Sequence, residues 1–114
     1  MANKVPTTPA MRPIRYVDFI GADVYDFWPA LTSDSAWNGD CNSTYEGGPK
    51  GIGSWLNFAK SQGKKLTLSE WGVIKGSPYS GGDNPVFVEK MLGFFRANAG
   101  AIGYESYFNV NSGN

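Results

Sequence analysis

The sequence predicts an α/β fold built on a small parallel sheet, and three observations carry that prediction. Strand-like runs rich in β-branched and aromatic residues alternate with stretches of helical periodicity. The first run, Tyr16 to Tyr25, is apolar almost throughout, which suits a strand covered on both faces. Strand-helix-strand connections also require parallel strands, joined by a right-handed crossover.

The elements follow in order. After the first strand, Asp26 to Gly53 is rich in glycine, serine, asparagine and aromatic residues and reads as one long loop, a feature usually tied to function in compact domains. A helix is expected from about Gly53 to Gln62. Ile52, Trp55, Leu56 and Ala59 recur at helical spacing and form one apolar stripe, which makes Trp55 a core residue. Gly63 follows as a left-handed cap, and Lys64-Lys65 complement the negative end of the helix dipole. Lys65 to Gly72 gives a second strand. Asp83-Asn84-Pro85 starts a second helix, with Pro85 preorganised for the first helical position. That helix, to about Ala97, is expected to bury Val88, Met91, Leu92 and Phe95. Gly100 closes it before a third strand, Ala101 to Phe108. The outer strands of such a sheet offer unpaired edges, and one face lacks a covering layer.

Composition narrows the chemistry. The chain has 114 residues, ten Lys and Arg against ten Asp and Glu, no histidine and one cysteine. Zero formal charge argues against nucleic acid and against a polybasic membrane surface as partners. Without histidine, neither a Ser-His-Asp nor a Cys-His mechanism is open. A single cysteine, Cys41, excludes an internal disulfide and the multi-cysteine zinc patterns. No spacing matches the twelve-residue calcium loop, so Asp26, Asp34, Asp40 and Glu46 read as a solvated acidic loop, and neither metal nor cofactor is expected. Residues 1–15 read as a polar, proline-rich N-terminal extension with no signal-peptide core, and no apolar run approaches a membrane span. The chain therefore reads as soluble, with its native address not encoded.

Carboxylates remain. In parallel α/β sheets, active residues gather at the carboxyl ends of strands. Each strand here ends in an acid with an aromatic neighbour: Asp23 with Tyr25, Glu70 with Trp71, and Glu105 with Tyr107. Sugar rings stack on aromatic faces, while carboxylates hydrogen-bond hydroxyls and perform glycosidic chemistry.

Val17 to Asp26 and Gly63 to Val73, the latter carrying Ser69-Glu70-Trp71-Gly72 after Gly63-Lys64, resemble strands six and seven of a clan A retaining glycoside hydrolase. The flavour is that of family 26 or family 5, the mannanases and endoglucanases. Asp83-Asn84-Pro85 and Tyr104 to Asn109 resemble the following helix start and strand eight. The resemblance covers most of residues 16–114 and implies a partial (β/α)8 barrel acting on a β-linked polysaccharide or oligosaccharide. Such a parent enzyme is a secreted one.

Position by position, the resemblance makes Glu70 the catalytic nucleophile and Tyr25 the strand-six tyrosine that hydrogen-bonds it. Trp28, Trp37, Trp71 and Tyr107 would line the substrate cleft, with Trp37 a stacking platform in the loop. Three departures stand out. Asp23 occupies the place where many clan members carry a histidine. Tyr107-Phe108 replaces a tryptophan platform, and the acid/base glutamate of strand four has no counterpart. Asp23 or Glu105 is the candidate substitute. Self-association into a homo-oligomer would complete the sheet. Two other readings share the same residues: a carbohydrate-binding module without catalysis, and a structural partial barrel without a ligand.

Overall fold

The computed structural model describes residues 17–27, 29–77, 80–108 and 110–111. The expected N-terminal extension, residues 1–15, lies outside them, as do Tyr16 and Trp28. The described chain is mixed α/β, with three parallel strands, three helices and a few short elements.

Strand β1 (Phe19–Asp26) leads to helix α1 (Asp34–Cys41), a small hairpin of β2 (Thr44–Tyr45) and β3 (Gly48–Pro49), and helix α2 (Ile52–Ser61). Strand β4 (Lys65–Lys75) occupies the centre of the sheet, followed by helix α3 (Pro85–Ala97), a 3-10 turn (Ala99–Ala101), β5 (Ile102–Tyr107) and β6 (Val110–Asn111). The sheet order is β1-β4-β5, all parallel, and β6 adds a short parallel pairing with the far end of β4. Phe108, just after β5, lies so close to β4 that a Cβ on Gly72 would collide with its carbonyl.

The expected loop between Asp26 and Gly53 is not one loop. It holds α1 and the hairpin, which corrects the sequence reading. Helix α1 escapes notice because Asn38, Gly39 and Asp40 are weak helix formers. What holds it is the Ser33 cap, whose hydroxyl accepts the Ala36 amide at 3.1 Å, together with burial of Trp37. The hairpin turns on Glu46 (φ 50°) and Gly47 (φ 83°), the positive pair that a two-residue turn with matching twist needs.

The other elements follow their local signals. Ile52, Leu56 and Ala59 of α2 are buried as the stripe predicts, and Trp55 packs partly buried beside them. Gly63 takes a φ of 69°, the expected left-handed cap. Asn84 caps α3, accepting the amides of Val86 and Phe87. On α3, Phe87 and Met91 are fully buried whereas Leu92 is exposed, a shift of the apolar stripe from the one expected.

Burial separates the two faces of the sheet. Leu66, Leu68, Trp71 and Val73 of β4 pack under α2 and α3 with Ile20 of β1, and form the core. The opposite face carries Phe19, Gly21, Asp23 and Tyr25 from β1, with Thr67 and Glu70 from β4 and Tyr104 from β5. No described element covers it, and Phe19 and Tyr104 meet edge to face there while each stays about half exposed.

Between Leu68 and Trp71, strand β4 contains one residue more than its neighbours, while β5 carries a surplus of its own, Gly103, where Ile102 and Tyr104 face the consecutive Leu66 and Thr67. Ala22 and Asp23 are consecutive on β1 but face Leu68 and Glu70. Glu105 and Tyr107, two apart on β5, face Leu68 and Trp71, three apart. The surplus residue lies between Leu68 and Trp71 against both flanks, and the phase of the buried residues changes there.

Candidate active site

The open face brings Asp23, Tyr25 and Glu70 together near the carboxyl ends of β1 and β4. Asp23 is opposite Glu70 in register, and Tyr25 is two residues further along the same face. The Tyr25 hydroxyl donates to Glu70 Oε1 at 2.5 Å, a short bond of the strength expected when the acceptor is charged. Partial burial, the hydrogen bond to Glu70 and the charges of Glu70 and Asp23 push the Tyr25 phenol up to about 12. Tyr25 therefore stays a proton donor through neutral and mildly alkaline pH.

Glu105 does not join this group, which corrects its expected role beside Glu70. It pairs in register with Leu68, a fully buried residue of the helix-covered face, and its Oε1 accepts the Trp71 indole N–H at 2.5 Å. Trp71 is itself enclosed by Phe87 and Phe95 of α3 and by Tyr107, with ring centroids 5.0–6.4 Å away. Tyr107 therefore lies on the helix side too, lining an apolar groove of about 580 Å³ with Val73, Val88 and Leu92. Neither Trp71 nor Tyr107 faces Glu70. Trp37, expected as a platform in an exposed loop, is 7% exposed and packs edge-on against Phe87. It is a core residue, because α1 turns it inward. Trp28 lies outside the described residues.

A polar node goes unannounced in the sequence. Asp26, the last residue of β1, is fully buried instead of belonging to a solvated acidic loop. Its Oδ1 accepts the Leu31 amide at 3.0 Å and its Oδ2 accepts the Asn84 side-chain amide at 2.8 Å. Asn84 also donates to the Leu31 carbonyl at 3.0 Å. The node ties the end of β1 to the start of α3, and Gly81 passes so close that a Cβ there would strike the Asp26 carboxylate. Asp40 is partly buried, and burial pushes its carboxyl up while Lys50 opposes the shift. Asp34 and Glu46 are exposed as expected, Asp34 pairing with Lys90 at 2.5 Å. Nothing near Asp26 in the sequence marks its burial, since its main side-chain partner is 58 residues away.

Among the described residues, no group of three or more acidic or cysteine side chains is placed to hold a metal ion, and no helix is long and apolar enough to cross a membrane. What the open face offers chemically is two carboxylates on adjacent strands, one anchored by a phenol. No protein-family model, curated protein or solved structure matches the chain.

Proposed function

We propose that the open face carries the nucleophile side of a retaining glycoside hydrolase site acting on a β-1,4-linked glycan. The observation that carries this reading is the 2.5 Å hydrogen bond from Tyr25 to Glu70 Oε1 at the ends of two parallel strands. It fixes one carboxylate oxygen and leaves Oε2 as the attacking atom. Oε2 forms a bond to the anomeric carbon while the glycosidic C–O bond breaks, and the departing oxygen takes a proton from an acid. Water then attacks the glycosyl ester, gives its proton to the conjugate base and frees Glu70.

The acid/base role falls to Asp23. Retaining enzymes hold their two carboxyl groups about 5–5.5 Å apart. Asp23 is opposite Glu70 on a strand neighbouring β4, at a spacing of about 4.8 Å, and on the same face. Glu105 is on the other face and takes no part.

A dinitrophenyl 2-deoxy-2-fluoro-β-cellobioside tests this directly, because its leaving group departs without a proton and isolates the nucleophile from the acid. The expected result is one fluoroglycosyl group added by intact mass, mapped to Glu70, and absent in Glu70→Gln. An unlabelled wild type, or a labelled Glu70→Gln, removes the reading.

A second reading, in which copies of the chain associate to complete a barrel, rests on the uncovered face with Phe19 and Tyr104 and on β1 and β5, whose described pairings are with β4 alone. Light scattering on a sizing column tests it, and a monodisperse monomer at high concentration refutes it.

A further inference from the structure

We propose that Ser69 is a ligand-contacting residue of the same face, its hydroxyl presented beside the Glu70 carboxylate to a sugar hydroxyl. The inference rests on the glycosidase reading of Glu70 and adds a residue to it. Its basis is the surplus residue in β4. Leu68 and Trp71 are both buried on the helix-covered face, at 0% and 2% exposure. In a regular strand, residues three apart point to opposite faces. Here they share one, so the two residues between them leave by the other side. Ser69 departs from it by alternation with Leu68, and Glu70 by alternation with Trp71. Glu70 is shown there by its bond to Tyr25.

Both strands flanking β4 record the same displacement, so it is a property of β4 and not of one pairing. The consequence is that two consecutive side chains, a hydroxyl and a carboxylate, face the open side together. A period-two strand places only one of such a pair there. Bulges of this kind re-aim side chains and recur next to active sites.

Ser69 is exposed, and among the described residues its hydroxyl makes none of the hydrogen bonds that occupy Ser33, Ser43, Ser54, Ser61 and Ser80. A serine hydroxyl both donates and accepts. That capacity suits a polyol, whose hydroxyls do the same, while Glu70 can only accept when ionised. The ligand class is therefore a neutral sugar presenting a ring hydroxyl other than the one at C2, which leaves the contact intact in a 2-fluoro glycoside.

The test compares inactivation by the fluoroglycoside in wild type, Ser69→Ala and Ser69→Thr. Loss of one neutral hydrogen bond to the sugar is expected to slow labelling of Ser69→Ala ~10-fold. Ser69→Thr, which restores a hydroxyl on a residue at home in strands, is expected within about threefold of wild type. The alkaline absorbance titration of Tyr25 is expected to be unchanged in Ser69→Ala, showing that the Tyr25–Glu70 pair is intact. Labelling of Ser69→Ala at the wild-type rate overturns the inference and leaves Glu70's role standing. A shifted Tyr25 titration also overturns it, because the serine would then act by holding Glu70. A wild type that takes no label overturns both.

Discussion

Glu70 and Glu105 each accept one 2.5 Å hydrogen bond from the polar tip of an aromatic ring, yet they occupy opposite faces of one sheet. Both are strand-end acids with an aromatic neighbour in sequence. Glu70 faces an uncovered surface with Asp23 and Tyr25. Glu105 faces the helix side, where its partner Trp71 is packed against α3. The difference teaches that a carboxylate at a strand end acquires its role from the face it occupies. For Glu70, a single surplus residue in β4 sets which face that is.

The largest effect expected from breaking this comparison is on covalent labelling. Glu70→Gln removes the proposed attacking oxygen and should reduce fluoroglycoside labelling by at least roughly a thousandfold, a loss on the scale seen when nucleophiles are removed. Glu105→Gln, on the far face, should label within about twofold of wild type. Equal losses in the two variants would mean that both carboxylates share one site.

A third strand-end acid sharpens the contrast through stability. Asp26→Ala strips the acceptor from two buried donors, the Leu31 amide and the Asn84 side chain. Denaturant unfolding should show a cost of about 3 kcal/mol, the sum expected for two buried donors left unpaired. A change below about 0.5 kcal/mol would show that the node is not holding β1 to α3.

Trp71→Phe keeps an aromatic ring in the core but removes the indole donor to Glu105. Because Glu105 is exposed and regains water, the expected cost is about 1 kcal/mol, with labelling of Glu70 unchanged. Chemical denaturation alongside the labelling assay reads both.

The smallest effect is in the alkaline range. The folded Tyr25 phenol, held up by burial and by the nearby carboxylates, lies at about 12, above the ordinary value near 10. The fold favours the protonated form, so its contribution to stability is complete below about pH 10 and is lost as pH rises through about 12. Absorbance at alkaline pH should show this late ionisation. In Glu70→Gln it should move part of the way back, since the first cause, burial, remains. A titration identical in both proteins would show that the Tyr25–Glu70 bond does not form in solution.

Much of this was legible in the chain. The Asn84-Pro85 start of α3, the Gly63 cap and the apolar stripe of α2 are set by neighbours in sequence, and each appears where local chemistry puts it. Glu70 and Tyr25 were legible as a pair by resemblance. Helix α1 was not, because its residues disfavour helix and its cap and the burial of Trp37 override them. The surplus residue in β4 did leave a trace: the apolar positions 66 and 68 change phase to 71 and 73. An unbroken reading of alternation hides it.

The sequence by itself determined the kinds of element, their order and most of their ends, because caps, turns and periodicity act over a few residues. Only the tertiary structure decided which carboxylates share a face and which are buried. The decisive partners are 34, 45 and 58 residues apart, and one surplus residue is enough to exchange the two faces of a strand.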